Sequence, residues 1–201
     1  MQHPNAVSNV AELRSLIQSK FSPEYTRKML HLVPTWPSIK DRASYLAENC
    51  KDKVVLDIGC TGALSAGIKK AARIYYGVDN QAGAWTVVDL DAEPEKLPEF
   101  SNVEVIVASE VLEHLANPGK FLAELIKKYP KTETFITVPN AGAYTVYNGC
   151  EMVNKDHVAW YSYTTLSTLL DRYGYMLLDC CWYNGQPHKA EGIIMKVIGA
   201  S

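Results

Sequence analysis

The sequence predicts an α/β fold built on a doubly wound, mostly parallel sheet. Three observations carry this expectation. Short apolar runs alternate with helical stretches along most of the chain. The first two runs end in acids, Asp57 and Asp79, 22 positions apart, which is the length of one βαβ unit. The last two runs, 175–179 and 193–198, have no helix between them and should pair antiparallel.

The elements follow in order. Residues 8–48 read as helical, with Val10, Leu13, Leu16 and Ile17 at helical spacing. Ser22-Pro23-Glu24 opens a second helix with a cap and a first-turn proline. Pro34 and Pro37 interrupt the pattern, and Ser38-Ile39-Lys40 resumes it. Strands are expected at 53–57, 73–78, 85–88, 103–108 and 132–138, separated mostly by helices such as the one opening at Pro118. A further helix runs from about Tyr163 to Tyr173 and stops at Gly174, a residue suited to the left-handed turn beyond a helix end. With the final pair, the sheet has seven strands. One domain is expected over 1–201, with residues 1–49 as a helical lid and 50–201 as a ligand-binding core.

The first turn gives the ligand its chemistry. Val54-Val55-Leu56-Asp57-Ile58-Gly59-Cys60-Thr61-Gly62 is an apolar run, an acid and a glycine-bearing turn. Glycines let backbone approach a ligand closely, and Asp79 can accept hydrogen bonds from a ribose diol. The acid before the first glycine would repel a pyrophosphate and suits an ammonium group. These features point to an adenosine carrying an amino acid, as in S-adenosylmethionine (SAM), rather than to a dinucleotide.

On these residues the chain resembles the class I SAM-dependent methyltransferases, whose first strand ends in D/E-x-G-x-G-x-G. The resemblance covers roughly residues 50–199 and implies a Rossmann-like methyltransferase fold. The turn departs from the common form. It is one residue shorter than Asp-x-Gly-Cys-Gly-Thr-Gly, and Thr61 stands where a second glycine is expected. The resemblance places Gly59 and Cys60 along the methionine portion, counts Asp57 and Gly62 in the same cofactor-binding turn, and puts Asp79 on the ribose, with Asn80 beside it. An acid after the third strand contacts adenine, and the backbone of the next residue meets the ring. Asp89 follows the strand directly, with Leu90 next. Asp91 fits an Asp-Ala-x-x-Leu-Pro pattern, so both acids stand as candidates, Asp89 preferred.

Ala108-Ser109-Glu110-Val111-Leu112-Glu113-His114 resembles the motif after the fourth strand in the ubiquinone- and biotin-pathway group, where Ser109 and Glu110 would border the cofactor. If the turn is helical, Glu110, Glu113 and His114 share a face, while Val111 and Leu115 point into the core. His157 precedes an aromatic stretch, Trp160-Tyr161. Ubiquinone-pathway O-methyltransferases and small-RNA 3′-end methyltransferases combine Glu-x-x-Glu-His with such a histidine to hold a divalent metal. The resemblance therefore implies a site for Mg²⁺, Mn²⁺ or Zn²⁺ on Glu110, Glu113, His114 and His157. Without a metal, His114 and His157 are the candidate catalytic residues, His114 as general base, and a merely packed histidine is the bland alternative. Val138-Pro139-Asn140 reads equally as a structural turn or a substrate contact. Tyr144, Tyr147, Trp160 and Tyr161 would roof the pocket or pack.

Composition bounds the partners. A net charge of −2 with no Lys/Arg run disfavours nucleic acid. No apolar run reaches membrane-spanning length, and the first residues lack the pattern of a signal peptide. Cys50, Cys60, Cys150, Cys180 and Cys181 include no C-x-x-C pair and read as reduced thiols, so a cytoplasmic protein is expected. His3, His31 and His188 carry no signal. The expected activity is SAM-dependent O-methylation of a small hydroxylated metabolite or sugar. The rivals are 2′-O-methylation at an RNA 3′ end, and a methyltransferase fold retained only for interaction.

Overall fold

The computed structural model describes residues 37–141, 156–185 and 190–200. The helices expected before residue 37, Tyr144, Tyr147, Cys150, His3, His31 and His188 lie outside them. The elements are β1 (Ser38–Ile39), α1 (Arg42–Cys50), β2 (Val54–Ile58), α2 (Ser65–Ala71), β3 (Ile74–Asp79), β4 (Thr86–Val87), β5 (Val105–Ser109), α3 (Pro118–Lys128), β6 (Glu133–Pro139), α4 (Tyr163–Arg172), β7 (Tyr175–Tyr183) and β8 (Gly192–Gly199). Short 3-10 turns occur at Pro94–Lys96 and Leu112–His114.

The strands form one sheet in the order β1-β7-β8-β6-β5-β2-β3-β4. Every pairing is parallel except those of β8, which runs antiparallel to both β6 and β7. The expected doubly wound sheet with an antiparallel close is therefore present, with eight strands in place of seven. The additional strand is β1. The outer edge of β7 presents backbone groups that need partners, and Ser38–Ile39 satisfies part of that edge in register with Trp182 and Tyr183. The helical reading of this stretch is corrected accordingly. Helix begins only at Arg42, where Asp41 caps it by accepting the N–H groups of Ala43 and Ser44. Residues 38–50 thus supply a strand and a face-covering helix to the sheet.

Alternation along the central strands sorts side chains between two cores. Leu56, Ile58, Ile106 and Ala108 pack with Phe121, Leu122 and Leu125 of α3 on one face. Val55, Val105 and Val107 pack with Leu46 of α1 and Ile68 of α2 on the other. Each such side chain contributes about 1.5–3 kcal/mol on full burial. Helix α3 starts on Asn117, which accepts the N–H of Lys120, with Pro118 in its first turn. Helix α4 starts on a capping box between Ser162 and Thr165, and Gly174 follows it at φ +81°. Among the described residues, no helix is long and apolar enough to cross a membrane.

Candidate functional site

The C-terminal ends of β2, β3 and β5 open into a cavity of about 690 Å³. This is the edge where ligands bind in open parallel sheets. Of the residues nominated for a cofactor, Gly59, Gly62, Asp79, Asn80, Asp89, Leu90, Ser109 and Glu110 line it. Asp57 and Cys60 do not line it. Asp57 sits on the same face of β2 as Val55, so its carboxylate turns beneath the turn, where it is buried and accepts the Tyr75 hydroxyl at 2.7 Å. Burial pushes its pKa up to about 6, against the opposing hydrogen bonds from Ser65 and Tyr75. The Cys60 side chain packs toward Gly77 and a separate cavity beside Trp85. Burial raises its thiol pKa to about 11.

Gly59 shapes the floor. Its φ is +80°, and a Cβ there would lie 2.8 Å from Val111 Cγ2, so the position needs glycine for both conformation and space. Asp79, 7% exposed, accepts from the Thr61 N–H and hydroxyl and from the Gln81 N–H. Thr61 is thus tied to the acid that the sequence assigned to ribose. The two adenine candidates separate here. Asp91 spends both carboxylate oxygens on the N–H groups of Ala116 and Asn117. Asp89 accepts the N–H groups of Asp91 and Ala92 through Oδ1 alone, leaving Oδ2 for another donor.

The expected grouping of Glu110, Glu113 and His114 on one helical face is not found. Glu110 has φ +56°, and only Leu112–His114 turn as 3-10 helix. The kink directs Glu110 to Arg42, whose guanidinium lies 2.5 Å from Oε1. The same oxygen accepts from Thr137 and Tyr183. Arg42 also lines the cavity and stacks over the Tyr183 ring. Arg42, Thr137 and Tyr183 were missed by sequence reasoning, because they come from separate elements and share no spacing.

Glu113, His114 and His157 do converge, with potential ligand atoms all within 4.8 Å of one another. The backbone arranges this. The Glu113 carbonyl accepts the N–H groups of Val158 and Ala159, and the Tyr161 hydroxyl donates to the Leu112 carbonyl. Asn140 pairs with Tyr161 and donates its side chain to the Ala190 carbonyl, so Val138-Pro139-Asn140 has a structural role here. Glu113 is 1% exposed, yet among the described residues neither carboxylate oxygen has a hydrogen-bond partner, and neither does His157 Nδ1. Burial, then the nearby Glu110 charge, pushes Glu113 up to about 8. Burial and the neighbouring His114 lower His157. His114 Nδ1 lies 3.1 Å from the Asp156 carbonyl. A carbonyl only accepts, so Nδ1 carries the hydrogen and Nε2 of the neutral ring keeps its lone pair.

Orphaned buried acceptors are costly. A carboxylate and two imidazoles that converge, with the Glu113 oxygens and His157 Nδ1 unpartnered among the described residues and the His114 Nε2 lone pair available, have the donor set of a divalent cation, and the fit holds without Glu110. The cavity is likewise large enough for a nucleoside, and acceptors stand at Asp79 and Asp89.

The family described as "Methyltransferase domain" matches residues 27–179. The chain has no sequence match among curated proteins. Among solved structures, small RNA methyltransferase HEN1 aligns with TM-score 0.62 at 16% identity, over 80% of this chain and 25% of that one. The chain therefore spans only a quarter of HEN1. N-methyltransferase NodS from Bradyrhizobium japonicum, in complex with S-adenosyl-L-homocysteine (SAH), aligns with TM-score 0.59 at 15% identity, over 80% of this chain and 86% of that one. Mitomycin 7-O-methyltransferase MmcR aligns with TM-score 0.57 at 15% identity, over 79% of this chain and 53% of that one.

Proposed function

The chain belongs to the methyltransferase-domain family, the class I SAM-dependent methyltransferases, and from that premise we propose that it methylates a hydroxyl of a small molecule held over Glu113, His114 and His157. The observation that carries this reading is the convergence of three ligand-type side chains, two of them with unpartnered buried atoms, of which His114 lines the nucleoside-sized cavity.

SAM would lie with its ribose at Asp79 and its adenine amino group at Asp89 Oδ2. Its amino-acid end would meet Arg42 and Glu110, which together offer a cation for the carboxylate and an anion for the ammonium. This passes to Glu110 the role that the sequence gave Asp57. The reaction is an in-line displacement. An acceptor oxygen forms the bond to the methyl carbon as the carbon–sulfur bond breaks, and SAH departs. Positioning supplies much of the rate, because the oxygen must sit about 3 Å from that carbon and opposite the sulfur. The acceptor hydroxyl must also lose its proton, and where no metal is bound His114 Nε2 would take it.

A divalent cation held by Glu113, His114 and His157 would supply acidification of that hydroxyl. With Glu110 engaged by Arg42, two imidazoles and one carboxylate favour Zn²⁺ or Mn²⁺ over Mg²⁺. An RNA acceptor is disfavoured on charge. The cavity wall carries Asp79, Asp89, Asp91, Glu110 and Asp156 against Arg42, which is already paired. We place the protein in the cytoplasm, in keeping with its unpaired thiols.

The test is calorimetric titration with SAM, followed by methyl transfer from labelled SAM to a panel of catechols, sugars and hydroxylated acids, with and without chelator. Saturable SAM binding and label in a small hydroxylated product are expected. Label entering only amines or RNA would overturn the acceptor assignment.

A further inference from the structure

Thr61 occupies the position where a second glycine is expected, directly above the acid that closes β3. Asp79 Oδ2 accepts two hydrogen bonds from this one residue, from its N–H at 3.0 Å and its hydroxyl at 2.8 Å. Oδ1 accepts the Gln81 N–H at 3.1 Å. An ionised carboxylate offers about four acceptor sites. The chain fills three of them, and the one left is on Oδ1. A glycine at 61 would contribute only its N–H and leave one site on each oxygen. That is the arrangement a vicinal diol needs to donate two bonds side by side.

We infer that Thr61 makes this site read one ribose hydroxyl of its cofactor instead of two. The inference rests on the assignment of the cavity to SAM. One hydroxyl donates to Asp79 Oδ1. The other finds Oδ2 already occupied. It can bond there only by displacing the Thr61 hydroxyl, which exchanges one O–H···O⁻ hydrogen bond for another and gives almost no net gain. The Thr61 N–H cannot be displaced in the same way, because it belongs to the turn itself. Threonine at this position therefore sets specificity. The site should accept cofactors altered at one ribose position and reject those altered at the other.

The experiment is calorimetric binding of SAH, 2′-deoxy-SAH and 3′-deoxy-SAH to the wild type, Thr61→Ala and Thr61→Ser. In the wild type, one deoxy analogue should bind within about threefold of SAH and the other roughly tenfold to a hundredfold more weakly. Thr61→Ala frees the second site on Oδ2, so both analogues should then lose roughly tenfold or more against SAH. Thr61→Ser keeps the hydroxyl and should keep the wild-type asymmetry. If Thr61→Ala does not fold, Thr61→Gly gives the same readout. Equal losses for the two analogues in the wild type overturn the inference, and so does an asymmetry that survives removal of the hydroxyl. Absence of SAH binding to the folded wild type overturns the cofactor assignment itself.

Discussion

Glu113 and His157 bring potential ligand atoms within 4.8 Å of each other, and no hydrogen bond joins them. The Glu113 carbonyl, by contrast, is bonded to the two residues that follow His157. The backbone therefore holds this pair together while the side chains remain unsatisfied. Zn²⁺ or Mn²⁺ at a hundred times its dissociation constant should raise stability by about 2.7 kcal/mol through mass action. Thermal melts with and without metal measure this directly. His157→Ala should lose most of the metal-dependent gain and little of the metal-free stability. An unchanged melting temperature in the wild type would leave the cluster without a cation.

The same pair has a second measurable side. Burial raises Glu113 from 4.5 to about 8. A carboxyl with a raised folded-state pKa holds its proton more tightly when folded. Its penalty accordingly grows as pH rises through that window and is complete above it. Glu113→Gln removes the penalty. At pH 7.5 it should stabilise the metal-free protein by at most about 4 kcal/mol, seen as a higher Tm, and abolish metal binding. A variant that melts lower than the wild type would show that Glu113 is satisfied by a group it does not contact here.

Asp57 gives a cleaner pH signature. Its pKa rises from 3.8 to about 6 on folding. Between these values the folded state binds more protons than the unfolded state, so stability falls as pH increases through the window. The full effect is at most about 3 kcal/mol. Asp57→Asn should flatten this part of the profile in urea titrations at successive pH values. A slope that remains in the variant would assign the effect to another group.

Gly59 and Gly62 should respond differently to the same substitution. Gly59→Ala places a Cβ 2.8 Å from Val111 at φ +80°. It should cost about 1–3 kcal/mol of stability and weaken SAM binding, because Val111 also lines the cavity. A Cβ at Gly62 meets nothing within 4 Å. Gly62→Ala should keep the wild-type Tm, so that any loss of SAM affinity reports contact with the ligand. Equal melting temperatures for both variants would refute the crowding argument.

The sheet was legible because buried parallel strands read as continuous apolar runs, and β2, β3, β5 and β6 lie within a residue or two of their expected bounds. Strand β1 was not legible, since two residues carry no period and its pairing is dictated by the distant edge of β7. At the site, residue types were readable but their directions were not. Glu110 looks equivalent to Glu113 in the motif, and one positive φ sends it to Arg42 instead. Asp57 looked ligand-facing until the pleat of β2 placed it below the turn. Arg42 itself is a lone arginine on a separate helix, and its partner was knowable only from the fold.

The anchoring of residues 156–161 has an evolutionary consequence. Tyr161 lies opposite Asn140 at the end of the sheet and accepts the Ala141 N–H, and His157 stands beside the two bonds on the Glu113 carbonyl. The stretch that carries His157 is thus fastened through backbone groups, which a change of side chain leaves in place. Side chains along 156–161 can therefore vary in evolution while the backbone that presents His157 stays in register with the sheet.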